Sequence, residues 1–115
     1  MIPRKFRLTG RRDIEKIKKT GNMIQSASFA LIWLSSGNES INPRFGIIVS
    51  KKISTKATVR NKVKRSLRYI LMQLVPQIKR GYDLMFLTKK NILDLDMQIL
   101  KKEMETLLKK ESIMI

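Results

Sequence analysis

The side chains of this sequence best equipped to act on a partner are cationic, and they are concentrated. Arg60, Lys62, Lys64, Arg65 and Arg68 fall in one short stretch with Asn61 among them, and between Glu39 and Asp83 there are eleven Lys or Arg residues and no acidic residue. Arginine offers a planar fork that matches phosphate oxygens, and lysine offers a point charge. On a helix, residues four apart share a face at about 6 Å, close to the phosphate spacing of a nucleic-acid strand. The chemistry on offer is therefore recognition of a polyanion. A merely solvated helix face normally mixes signs to gain i,i+4 pairs, and here no acid lies within reach in sequence. Asn61 can bond a ribose hydroxyl, a base edge or a neighbouring backbone group.

A second basic set, Ser50, Lys51, Lys52 and Lys56, sits where a strand hands over to that helix. Backbone N–H groups at a helix start add to its positive potential; the alternative is an exposed turn with incidental lysines. Lys89 and Lys90 end a later strand. Phe29, Trp33 and Phe45 read first as core, and second as a platform for unpaired bases.

Composition narrows the classes. The 115 residues are 43% apolar and 30% charged with net charge +16, so the chain is expected to fold as one domain over 1–115 and to have a polyanionic partner. It has no cysteine and no histidine, which removes disulfides, thiolate metal sites and the commonest general base. Asp13, Glu15, Asp94 and Asp96 form no evident cluster, so a protein-borne two-metal nuclease centre is not expected, nor any metal bound by the protein alone. No apolar run approaches the ~20 residues of a membrane span, and Met1 to Phe6 is not followed by the apolar core of a signal peptide. The expected location is the cytoplasm.

These groups need elements to hold them. Residues 4–12 read as an extended basic arm. A helix over 10–20 follows, capped by Thr9, with Ile14 and Ile17 on one face and Gly21-Asn22 ending it through a left-handed position. Residues 23–34 read as one strand and 44–50 as a second, close enough in sequence to pair antiparallel. A helix over 55–75, capped by Ser54 or Thr55, stops before Pro76. Its apolar arc holds Val59, Val63, Leu67, Ile70, Leu71 and Leu74. Its basic arc, Arg60, Asn61, Lys64, Arg65 and Arg68, spans roughly 140° at ~100° per residue. A strand over 82–88 and a closing helix over 95–110, capped by Asp94 or Asp96, complete an α+β domain: helices against one small sheet.

The run Arg44-Phe45-Gly46-Ile47-Ile48-Val49-Ser50-Lys51-Lys52, followed by Ala57-Thr58-Val59-Arg60-Asn61-Lys62-Val63-Lys64-Arg65-Ser66-Leu67-Arg68, resembles the signature of the bacterial ribonuclease P protein component. Arg7-Leu8 and Gly21 fit it too, and the likeness weakens after about Thr88. The resemblance implies a small mixed β-sheet packed with three helices, like the second domain of ribosomal protein S5, with a left-handed βαβ crossover against the usual hand. It implies that the protein is a subunit of an RNA-based endoribonuclease that removes the 5′ leader from precursor tRNA. The partner RNA, with the Mg2+ it mainly holds, would perform the hydrolysis, and no obligate protein partner is implied. The alternative is a non-catalytic ribosome-associated or assembly protein of the same fold.

Carried over by position, the resemblance assigns Arg60, Asn61, Lys62, Lys64, Arg65 and Arg68 to the catalytic RNA. It assigns Ser50, Lys51, Lys52 and Lys56 to the leader and cleavage site, with Lys89 and Lys90 as further candidates there. Lys62 stands where the family usually has arginine. Ile14, Lys18 and Ile32 stand at cleft positions where aromatics are common, which implies less stacking on the leader and more reliance on charge.

Overall fold

The computed structural model describes residues 2–115. After a 3-10 turn at Arg4–Phe6 come α1 (Arg11–Thr20), β1 (Asn22–Gln25), β2 (Phe29–Ser35), β3 (Arg44–Ile48), α2 (Ala57–Leu74), β4 (Tyr82–Thr88) and α3 (Met97–Lys110). The strands form one mixed sheet in the order β1-β2-β4-β3. β1 pairs antiparallel with β2, β2 antiparallel with β4, and β3 parallel with β4. Parallel neighbours cannot be joined by a hairpin, and α2 supplies the crossover between β3 and β4.

Strand alternation sends successive side chains to opposite faces of the sheet. Phe29 and Leu31 of β2, Phe45 of β3, and Leu84 and Phe86 of β4 enter the main core. There they meet Leu67, Ile70, Leu71 and Leu74 of α2 and Leu100, Met104, Leu107 and Leu108 of α3. The opposite face carries a smaller core of Leu8, Ile17, Ile32 and Met85, with Ile14, Leu34, Ile48 and Leu87 at its margin. α1 therefore lies on one face of the sheet, and α2 with α3 on the other. β4 is apolar on both faces, which suits its place between two neighbours.

Several sequence expectations change. Residues 23–34 are not one strand: Ser26, Ala27 and Ser28 turn β1 back on β2, and the carboxylate of Glu103 holds that turn, accepting bonds from Ser26 Oγ, Ser28 N (2.9 Å) and Ser28 Oγ (2.8 Å). β2 and β3 do not pair, because β4 inserts between them. The basic arm is not extended throughout, since Arg4–Phe6 forms a 3-10 turn, and it docks on the sheet. Ile2 and Leu8 are buried, and Leu8 N donates to Phe45 O at 2.8 Å, covering the outer edge of β3. Gly21 is extended (φ −72°) rather than left-handed. Its role is close approach: a Cβ there would overlap Ile17 O and come within 2.7 Å of Ile32 Cγ2. Neither α1 nor α2 has a side-chain cap, Gly10 and Lys56 standing at those positions. Asp96 does cap α3, accepting from Ile99 N at 2.9 Å.

Candidate nucleic-acid interface

α2 turns its apolar stripe into the main core, which leaves the basic arc outside. Asn61, Lys62 and Arg65 are exposed, and Arg60, Lys64 and Arg68 are half-buried. The ion pairs among the described residues are Arg11–Glu15, Arg44–Asp13 and Arg44–Asp83, so none neutralises this face. Among the described residues Arg60 is the one cation of the arc with a structural bond as well, donating from Nη1 to Ser54 O at 2.9 Å.

That bond braces the segment leading into the helix. Ile53 N donates to Ser50 O (3.0 Å), closing a turn, and Ile53 is buried in the main core. With Ile53 as the anchor, Ser50, Lys51 and Lys52 are turned out to solvent, and Lys56 is exposed beside the helix start. Lys56 N donates to Ser54 Oγ at 3.2 Å. In the parallel register Ile48 faces Leu87, so Ser50 and Lys89 leave the sheet at the same end. Lys90 is exposed there. Lys89 is partly committed, since its Nζ donates to Ser26 O (2.7 Å) and Gln25 Oε1 (3.0 Å).

The cleft positions divide. α1 is tied to the opposite end of the sheet. Arg44, at the start of β3, donates from Nε and Nη2 to the two carboxylate oxygens of Asp83 (2.8 and 2.7 Å), and from Nη1 to Asp13 of α1 (3.3 Å). The Asp83 hydrogen bond is the leading cause that raises the Arg44 pKa, against partial desolvation, with the charges of Asp83 and Asp13 adding to it. Ile14 is half-buried at the margin of the smaller core, and Lys18, one turn on, is exposed. Ile32 is only 6% exposed, sealed among Leu8, Ile17 and Met85, and offers a ligand little surface. Further along the same sheet face, away from the α1 tie, Ile48 and Leu87 are half-exposed. Met23 pairs with Ile32 across β1 and β2, and it too is open to solvent. An accessible apolar strip thus lies on the face flanked by α1 and ends near the lysines at Ser50–Lys52 and Lys89–Lys90.

Met23, Ile48 and Leu87 were not singled out as site residues from sequence. Their signal is the strand alternation that puts them on Ile32's face, legible only once β4 is known to be central. Phe29 and Phe45 are core, and Trp33 is half-buried against Tyr82 at 5.7 Å, so none is an open stacking platform. No three of the described His, Cys, Asp or Glu residues come together as a metal site. The arrangement can bind a polyanion along α2 and an extended strand over the sheet.

Residues 2–112 match the family model described as Ribonuclease P. The chain is 32% identical to the ribonuclease P protein component of a Synechococcus strain, covering 100% of this chain and 88% of the relative. It is likewise 32% identical to the Microcystis aeruginosa protein of the same name, covering 97% and 95%. Among solved structures, the RNase P protein of Staphylococcus aureus superposes with a TM-score of 0.81 at 25% identity, over 96% of this chain and 98% of that one. The Thermotoga maritima RNase P protein gives 0.80 at 31%, over 90% and 96%.

Proposed function

This chain belongs to the ribonuclease P protein family, and from that premise we propose that it is the protein subunit of a ribonucleoprotein that trims the 5′ leader from precursor tRNA. The basic arc of α2, Arg60, Asn61, Lys62, Lys64, Arg65 and Arg68, grips the backbone of the catalytic RNA. The strip beside α1, with Ile14 and Lys18 on its wall, takes the single-stranded leader, while Ser50, Lys51, Lys52, Lys56, Lys89 and Lys90 supply charge towards the scissile phosphate. Ile32 acts from beneath, by supporting α1.

The observation that carries this reading is the continuity of positive charge from the Ser50–Lys56 turn onto α2, unpaired among the described residues and beside an apolar strip. Neutralising several phosphates at once releases counterions, which gives affinity without sequence preference. That suits a subunit that must accept many different leaders. Hydrolysis is assigned to the RNA, whose bound Mg2+ would supply a polarised water and charge stabilisation for the leaving oxygen. The protein's part is positional. It screens phosphate repulsion between two RNAs and so lowers the bulk magnesium needed for them to meet.

Reconstitution tests this. The purified chain is mixed with a bacterial ribonuclease P RNA and labelled precursor tRNA at low magnesium. A mature 5′ end that requires both components is the expected result. Tight RNA binding with no stimulation of cleavage would instead make the chain a non-catalytic RNA-binding protein of the same fold.

A further inference from the structure

Beyond the basic arc, α2 carries an aromatic ring that neither the fold nor the assignments above use. Tyr69 follows Arg65 by one turn and Lys62 by two, so the three form a stripe along one side of the helix. The residue is 58% exposed, an unusual position for a large aromatic on a helix whose apolar stripe is otherwise buried. Neither another aromatic ring nor a cation of the described residues covers it. Beside the ring, Arg65, Ser66, Tyr69 and Met97 line a cavity of about 260 Å³. It shares Ser66 and Met97 with a second cavity of about 320 Å³, which reaches between α2 and the start of α3 to Lys62 and Leu93. The exposed Leu93 and Met97 extend the apolar floor.

An apolar floor with one planar ring and two cations on the rim has a specific complement. Nucleobases are flat and apolar on their faces, and their backbone is anionic; aromatic side chains take up unpaired bases by stacking, with little regard to sequence. A duplex cannot use such a site, because its bases are already stacked on each other. A protein partner would need anionic groups placed opposite both Lys62 and Arg65, whereas every RNA strand carries them. We propose that this groove holds one unpaired nucleotide of the RNA partner, with its base on Tyr69 and Met97 and its phosphate on Arg65. The proposal rests on the RNA-binding reading of α2 and adds to it a site for an extruded or loop nucleotide.

Three proteins separate the two: the unmodified chain, Tyr69→Phe and Tyr69→Ala. Each is titrated against a bacterial ribonuclease P RNA across a salt series, and against a short single-stranded oligoribonucleotide and an A-form duplex of equal charge. The wild-type reconstitution is the control, since absence of cleavage there counts against the subunit reading and not against this site. The expected result is that Tyr69→Ala weakens RNA and single-strand binding about tenfold. Its salt slope stays unchanged and its duplex binding equals that of wild type. Tyr69→Phe should bind as wild type, because the ring is retained. Equal single-strand affinity for all three overturns the proposal. So does an equal loss on duplex, or a change in salt slope, either of which would mean a charge effect. If Tyr69→Ala binds RNA normally but loses a concentration-dependent self-association seen by sedimentation, the groove belongs to a second copy and the proposal falls. Melting curves guard against misfolding, which an exposed ring gives little reason to expect.

Discussion

Arg65→Ala and Arg60→Ala look alike in sequence, but the structure separates them. Arg65 is exposed and forms no ion pair among the described residues, so its loss should remove one phosphate contact and nothing else. Each neutralised phosphate contributes about 0.9 to the slope of log affinity against log salt. One contact is therefore worth about eightfold in affinity at ~0.1 M salt and only about twofold at ~0.5 M. Arg60 makes the same kind of contact and also holds Ser54 O at 2.9 Å, bracing the lysine turn. Losing that bond should cost roughly 1 kcal/mol, or about 4 °C of melting temperature for a domain of this size, against less than about 2 °C for Arg65→Ala. The assays are filter binding to a ribonuclease P RNA over a salt series, and thermal unfolding by circular dichroism. Loss of the same factor at every salt concentration in Arg65→Ala would refute a phosphate contact, since a charge contact must fade with screening. Equal melting temperatures for the two variants would refute the bracing role of Arg60.

Other perturbations probe what holds the site. Arg44→Lys keeps the charge but loses the fork on Asp83, so it should cost about 1–2 kcal/mol in chemical denaturation; an unchanged midpoint would show that the tie is ornamental. Glu103→Ala strips three bonds from the β1–β2 turn and leaves fully buried Ser28 without its acceptor, a loss of about 2–3 kcal/mol by urea unfolding. Below its melting transition that variant should still bind the RNA subunit through α2, while Lys89, which the same turn holds, loses part of its support. Ile14→Phe puts a ring at the cleft margin and should raise the preference for leader-bearing over leaderless precursor by about fivefold; an unchanged ratio would place the leader elsewhere.

How much was legible in the sequence follows from which forces are local. The strand over 82–88 matches β4 residue for residue, and α2 begins and ends within two residues of its expected limits, because their periodicities are long and uninterrupted. The basic arc was readable for the same reason. The β1–β2 turn was not. It contains no glycine or proline, and its stabilising carboxylate comes from Glu103, far along the chain. The inserted position of β4 was equally hidden, since pairing β2 with the next strand costs the least chain entropy and only burial on both faces overrides it. Ser54, Thr55 and Thr9 have cap chemistry without being caps, as tertiary anchors such as Ile53 set where those helices begin. Tyr69 passed unnoticed because helical spacing alone gives no measure of a ring's exposure.

The strand that joins β2 to β3 in the sheet, β4, is the last of the four to leave the ribosome. Until Thr88 has emerged, β2 and β3 each lack the neighbour that takes up their backbone hydrogen bonds along one edge, and only the β1–β2 hairpin can form from local contacts. A topology dominated by such distant pairings folds slowly and exposes sticky edges while it waits. The high positive charge then has a second use: nascent chains that repel one another are slow to aggregate. A ribosome-arrested chain ending before Tyr82 should accordingly be cleaved rapidly by protease throughout β2 and β3. One arrested with α3 fully emerged should resist, and equal resistance at both lengths would mean that the sheet forms without its central strand.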